Sequence, residues 1–159
     1  MAIPFAVPIP FIEQTGAELQ RFENGEAEVT LEIDEARHTN SFGVAHGGLL
    51  MTLLDVAMAH AARSLNLDQP GGGPGLVTIE MKTTFMRPGV GHIRAVGSVL
   101  HATASLAFTE GKVLDAKGRI CAHATATFKF LRALPVSDRD VRPAAVAHDV
   151  PRLQGSGSD

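Results

Sequence analysis

Residues Gly47 to about Leu65 read GGLLMTLLDVAMAHAARSL, and this run limits the possible folds more than any other part of the chain. Leu, Met and Ala are good helix formers, and the run is too long for an ordinary strand. As a helix it is apolar on nearly every side, so it must be enclosed rather than laid on a surface. A membrane is a poor enclosure for it. The longest oily stretch, Val44 to Ala62, carries Asp55 together with His46 and His60, and such groups are costly in hydrocarbon. A strongly curved sheet wrapped around the helix would supply the cover.

The rest of the chain has the pattern for that sheet. Glu26 to Asp34 (EAEVTLEID) alternates Ala27, Val29, Leu31 and Ile33 with polar residues, which marks a strand with one wet face. The loop DQPGGGPG, Asp68 to Gly75, follows the helix. The period of two then returns in Leu76 to Met86, Ile93 to Ala102, Leu106 to Leu114 and Arg119 to Phe130, with Asp115 to Gly118 as a hairpin turn. In the last strand Ile120, Ala122, Ala124, Ala126, Phe128 and Phe130 share one face, and its small alanines would let a helix come close. Consecutive strands joined by short turns favour antiparallel pairing. The expected class is α+β, a curved antiparallel sheet of about five or six strands around one long central helix.

A chain of 159 residues suits a single domain and buries enough surface to need neither disulfide nor metal. The domain is expected over residues 1–134, led by an extended segment 1–24, with a loose tail at 135–159 rich in Pro, Asp, Arg, Ser and Gly. Prolines 4, 8 and 10 and the lack of a basic lead-in argue against reading MAIPFAVPIPFI as a signal peptide. The net charge of -3 and the pI near 6.1 argue against a nucleic-acid partner. One cysteine, Cys121, allows no intrachain disulfide and fits a reducing, cytoplasmic setting. The histidines at 38, 46, 60, 92, 101, 123 and 148 show no tight ligand spacing, so no metal is expected.

Two features of the helix carry chemistry. Asp55 has apolar or neutral neighbours throughout, and a charge buried without a partner is costly. It is either a carboxylate bonded to a neighbouring strand or a functional group. Gly47 and Gly48 open the helix, where first-turn N–H groups lack intrahelical acceptors and lie at the positive end of the dipole. There they either permit tight packing or let a ligand oxygen approach the backbone.

The order of elements, with Asn40, then five residues, then His46-Gly47-Gly48, then Asp55, resembles the hotdog-fold acyl-CoA thioesterases, specifically the PaaI-like branch. Val77 to Gly89 (VTIEMKTTFMRPG) is similar to that branch's second strand, and Asp115 to Phe128 (DAKGRICAHATATF) to its last hairpin. The resemblance covers roughly Pro10 to Leu131. It implies hydrolysis of acyl-CoA thioesters without a metal or separate cofactor, CoA being part of the substrate. It also implies dimers, commonly paired into tetramers, with active sites at the subunit interface. The branch often carries a Gly-Arg pair in the third-to-fourth strand turn, where this chain has HATASLA, His101 to Ala107.

On that reading Asp55 is the nucleophile or the general base for a water, and the Gly47 N–H receives the thioester carbonyl. Gly47 and Asp55 are separated by roughly 12 Å along a helix and about 80° around it. Reacting atoms must approach to about 3–3.5 Å, so one helix does not readily present both groups to one thioester. Two antiparallel helices from two subunits do. The resemblance gives Asn40 a part in orienting the thioester or water; the plainer reading is loop capping. His46 could bond near the departing sulfur or simply cap the helix. Thr78 could hold the water beside Asp55 or be an ordinary strand residue. Lys82, Arg87, Arg94, Lys112 and Arg119 are candidates for CoA phosphates. GGGPG, Gly71 to Gly75, lacks the ending of a phosphate loop and is expected to rim the acyl pocket. The competing functions are a hotdog enoyl-CoA hydratase or dehydratase, and a non-catalytic acyl-CoA binding module.

Overall fold

The computed structural model describes residues 1–5, 8–69 and 75–131. The expectations for the glycine-rich rim at 71–74 and for the tail at 135–159 lie outside the described residues. The elements run α1 (Pro10–Thr15), β1 (Glu18–Glu23), β2 (Glu26–Glu32), α2 (Glu35–His38), α3 (Gly47–Arg63) with a 3-10 turn at Ser64–Asn66, β3 (Gly75–Phe85), β4 (His92–Ala102), β5 (Leu106–Asp115) and β6 (Ile120–Leu131). Six antiparallel strands form one sheet in the order β1-β2-β4-β5-β6-β3. The connection from β2 through α3 therefore crosses the whole sheet and delivers β3 to its far edge.

The helix and its sheet meet where the sheet has no side chains. Gly97 of β4 and Gly111 of β5 are cross-strand partners. A Cβ on Gly97 would lie 2.5 Å from the Ala57 carbonyl carbon, and one on Gly111 would lie 3.0 Å from Met58 Cγ. This glycine pair forms a dent into which the α3 backbone sinks. The alanines of β6 are buried as the alternation predicts, but the closest approach belongs to the two glycines. Leu53, Leu54, Ala57, Met58 and Ala61 are fully buried against this face.

Enclosure is one-sided. The sheet covers the stripe of α3 that faces it, while Gly48 is exposed and Thr52, Asp55 and Ala59 are only half-buried. The expectation of a helix covered on all sides thus holds for half of its circumference in the single chain.

The N-terminal region differs from the extended segment expected over 1–24. It contains α1 and β1, and Asn24 and Gly25 take positive φ values of 51° and 78° in a two-residue hairpin turn to β2. That is the geometry for which Asn-Gly is the preferred pair. Gly25 N–H donates to Ser64 Oγ at 2.7 Å, which ties the hairpin to the end of α3. Strand β1 escapes a period-two reading because its register shifts between Leu19 and Arg21. At the opposite end of the sheet, Asp115 accepts from the N–H groups of Lys117 and Arg119 and from Arg119 Nε. These bonds hold its carboxyl below the usual range and lock the β5–β6 turn.

Gly97→Ala is expected to destabilise the fold by about 1–3 kcal/mol, because the new methyl meets helix backbone rather than a flexible side chain. The urea midpoint at constant m-value measures this. An unchanged midpoint would show that the helix sits farther from the sheet.

Candidate active site

Asp55 lies in the middle of α3, and its carboxylate Oδ1 accepts a 2.7 Å hydrogen bond from Thr78 Oγ1 on β3. Burial pushes the Asp55 carboxyl above its ordinary value, and the Thr78 bond draws it part of the way back. The two residues meet because β3 is irregular. Phe85, Thr83 and Met81 pair with the inward-facing Ala122, Ala124 and Ala126, and strict alternation would next turn Ile79 toward the helix. A bulge between Thr78 and Glu80 absorbs one residue, and Thr78 pairs with the buried Phe128 instead. The bulge thereby re-aims Thr78 at the helix, and Ile79 stays exposed.

Asp55 opens into a cavity of about 450 Å³ lined by Ile9, Phe11, Met51, Thr52 and Met81 among others. Gly47 opens into a different one, of about 310 Å³, together with Asn40, Phe85 and Arg87. The structure therefore brings Thr78 to Asp55 and Asn40 to Gly47, and keeps the two pairs apart within one chain.

The N-terminus of α3 shows which amide is left over. His46 is the N-cap residue, and its Nδ1 accepts from Gly48 N–H at 2.9 Å. The His46 carbonyl accepts from the N–H groups of Leu49 and Leu50. Among the described residues Gly47 N–H has no acceptor. A Cβ on Gly48 would lie 3.1 Å from His46 Nδ1, so the second glycine is what admits the cap. Asn40 uses its side-chain oxygen on its own loop, accepting from Phe42 N–H at 2.9 Å and, more weakly, Val44 N–H. Its amide nitrogen has no such bond among the described residues, so Asn40 adds a donor beside Gly47. The capping readings of Asn40 and His46 thus describe bonds that are present. For Asn40 this leaves the other end of the side chain available; for His46 it leaves Nε2.

His46 faces away from the Gly47 cavity. It lines a third cavity, of about 510 Å³, with His38, Arg37, Gly48 and Thr52, and this adjoins the Asp55 cavity through Gly48, Thr52 and Phe11. His38 escaped the sequence reading as a site residue. It is buried, its Nδ1 accepts from Asp34 N–H, and among the described residues its Nε2 has no partner. Met81 and Phe85 were also missed, although plain alternation along β3 places them on one face with Thr83. A Cβ on Gly47 would touch the Phe85 ring at 3.4 Å.

The basic candidates separate. Arg94 is paired with Glu28, Arg119 with Asp115, and Arg87 donates to the Ile120 carbonyl. Lys82 and Lys112 have no ion pair among the described residues. Cys121 is buried and its thiol is pushed up by that burial, which suits a packing role. Among the described residues no group of three or more His, Cys, Asp or Glu could hold a metal, and no helix is long and apolar enough to cross a membrane.

The sequence model of the family described as Thioesterase superfamily matches residues 42–122, which span α3, the bulged strand β3, β4, β5 and the first residues of β6. A protein of Saccharolobus solfataricus, named as a candidate esterase, is 32% identical over 113 residues, covering 69% of this chain and 75% of its own length. A conserved protein from Pseudomonas aeruginosa superposes with a TM-score of 0.70 at 31% identity, over 79% of this chain and 97% of that one. A variant of the phenylacetic acid degradation protein PaaI from Thermus thermophilus superposes with a TM-score of 0.67 at 28% identity, over 77% and 100%.

Because its pKa is raised in the folded chain, Asp55 binds its proton more tightly folded than unfolded. That contribution to stability is full below the unfolded pKa and is lost as pH rises through the folded value. Asp55→Asn is therefore expected to raise the unfolding midpoint at neutral pH and to leave it nearly unchanged in strong acid. Denaturant titrations at the two pH values test this, and a lower midpoint at neutral pH would contradict it.

Proposed function

The chain belongs to the thioesterase superfamily as a hotdog-fold protein of the PaaI branch, and from that premise we propose that it hydrolyses acyl-CoA thioesters as a homodimer with two shared sites. The observation that carries the proposal is the division of labour within one chain. The free amide of Gly47 and the held carboxylate of Asp55 line separate cavities, so each needs a complement from a second copy. The edge of β3 offers the means. It is the last strand of the sheet, 11 residues long, with Val77, Ile79 and Phe85 exposed. A long apolar edge of this kind is a template for further pairing.

In the assembled site the thioester oxygen accepts from Gly47 N–H of one subunit, with the Asn40 amide beside it. Negative charge gathers on that oxygen as the carbonyl carbon becomes tetrahedral, and the helix N-terminus stabilises it. The partner's Asp55 supplies the attack, either as nucleophile on the carbon, giving an acyl–aspartyl anhydride that a water then hydrolyses, or as base toward a water that attacks the carbon itself. Thr78 donates to one carboxylate oxygen and leaves the other to react. His46, fixed by its cap bond with the proton on Nε2, lies beyond Thr52 from Asp55. A strong general acid is not demanded, because CoA departs as a thiolate of modest basicity. The products are the free acid and CoA.

Neither rival has a supporting contact. Among the described residues the side-chain hydrogen bond of Asp55 is with Thr78 rather than with a histidine that could complete an acid–base pair for water addition. A pure binding module has no use for a carboxylate held against its solvation preference.

Two substitutions test the shared site. Pro is tolerated at the first helical position and has no N–H, and His46 already has the extended φ and ψ, -60° and 136°, that precede proline readily. Gly47→Pro is expected to fold normally and to lose about 10²–10³ in kcat for thiol release. Asp55→Asn is expected to lose at least as much. Neither homodimer has an intact site, but a mixed dimer has one. Refolding the two variants together in equal amounts should restore about a quarter of the wild-type rate, since half of the dimers are mixed. Recovery confined to background would refute the shared site. A panel of short, medium, long and aryl acyl-CoAs in the same assay ranks the acyl groups.

Thr78→Val removes a bond that favours the ionised carboxylate. The acid limb of kcat should therefore move to higher pH, and an unmoved limb would remove Thr78 from the site.

A further inference from the structure

The dimer reading leaves open how two β3 edges align, and the structure contains enough to decide it. We infer that the strands pair antiparallel about Met81, so that Glu80 and Lys82 of each subunit form cross-strand ion pairs with the partner's Lys82 and the partner's Glu80. The inference rests on the dimer proposed above.

Hydrogen-bond parity supplies the first constraint. Met86 N–H donates to the Cys121 carbonyl at 2.7 Å, so this pair bonds β3 to β6. Bonding alternates along an antiparallel ladder. Thr84, Lys82 and Glu80 therefore also bond inward to β6, opposite His123, Thr125 and Thr127. Phe85, Thr83 and Met81 direct their N–H and C=O groups to the open edge. Their side chains face α3, because their β6 partners are the buried Ala122, Ala124 and Ala126. A partner strand must present residues of the same kind, which restricts the twofold axis to whole-residue positions.

Charge supplies the second constraint. Glu80 and Lys82 lie on the outer face, both exposed, two residues apart. Centred on Lys82, the dimer sets two ammonium groups against each other; centred on Glu80, it sets two carboxylates together. Centred on Met81, each carboxylate meets an ammonium, twice over. These are non-hydrogen-bonded positions of the new ladder, where facing side chains stand closest.

The site supplies the third. With the bulge counted as one outward position, pairing about Met81 brings Thr83 opposite the partner's Thr78, and Phe85 opposite the partner's Leu76. Phe85 packs over Gly47, so a centre at Met81 or at Lys82 brings the amide end of one subunit to the carboxylate end of the other, and the charges choose Met81 between them. Lys82, a candidate CoA-phosphate contact by sequence, becomes an assembly residue.

Cysteine pairing reads the register directly, with buried Cys121 as a silent background control. Under mild oxidation the double variant Glu80→Cys/Lys82→Cys is expected to form covalent dimers on denaturing gels. Glu80→Cys alone and Lys82→Cys alone are expected to remain monomeric there. Cross-linking by either single variant overturns the register while leaving the dimer intact, and so does a double variant that is dimeric by light scattering yet never cross-links. A wild-type chain that is monomeric by light scattering overturns the dimer and the register together. Charge reversal is the second measurement. Glu80→Lys should weaken dimerisation about tenfold, and Glu80→Lys/Lys82→Glu should restore it. Equal weakening by the single and double reversals rejects the ion pairs.

Discussion

A helix that is apolar on every side can hide only half of itself against one sheet, and most of this structure follows from that shortfall. The Gly97–Gly111 dent draws α3 down until backbone meets backbone, which makes the covered half as dry as it can be. The other half keeps Gly48, Thr52 and Asp55 near the surface. Isolated, that stripe wastes apolar surface and strands a carboxylate in poor solvent. In the dimer proposed above it would form the floor of a cleft shared with a second helix. The same crossing that lays α3 over the sheet delivers β3 to the outer edge, next to the uncovered stripe.

Within the cleft, the two ends of α3 chemistry are set by what they lack. Gly47 matters for an amide that nothing else claims, and this depends on His46 and its own carbonyl occupying the other amides of the first turn. Asp55 matters for a charge that burial disfavours and one hydroxyl sustains. A carboxylate surrounded by donors would be more stable and less reactive. Folding stability is therefore traded for a carboxylate that is reluctant to stay charged, a trade common where an ionisable group serves the kind of role proposed for Asp55.

Much of this was legible in the residues. The all-round apolar run gave α3 and its need for a wrapping sheet, and period two located β2 to β6 within a residue or two. Helix geometry alone separated Gly47 from Asp55. What stayed hidden was irregular. Strand β1 has a register shift at Leu19 to Arg21 that breaks its alternation, although the Asn24-Gly25 pair before β2 was an available hairpin signal. The β3 bulge is invisible to periodicity, so alternation could not show that Thr78 rather than Ile79 turns toward the helix. His38 has no motif; its orphaned Nε2 emerges only when α2 packs beside the α3 N-terminus. The close approach was credited to the β6 alanines because alanine shows in a pattern, whereas two glycines on different strands reveal themselves only when paired.

The bulge in β3 decides which residue meets Asp55. Without it, the residue opposite Asp55 would be Ile79, and Thr78 would point to the outer face. A regular strand would leave the carboxylate unbonded against an isoleucine, where the neutral acid would be favoured still more strongly. With the bulge, Thr78 turns in and Ile79 turns out beside Glu80, whose own outward position follows from the regular pairing of Glu80 to Phe85 with Thr127 to Ala122. One extra residue in one strand thus does two things at once. It brings Thr78 to the Asp55 carboxylate, and it leaves Ile79 exposed on the other face. Removing the bulge should accordingly break the Thr78–Asp55 bond and turn Ile79 inward together, whereas a change at Glu80 or Lys82 touches neither.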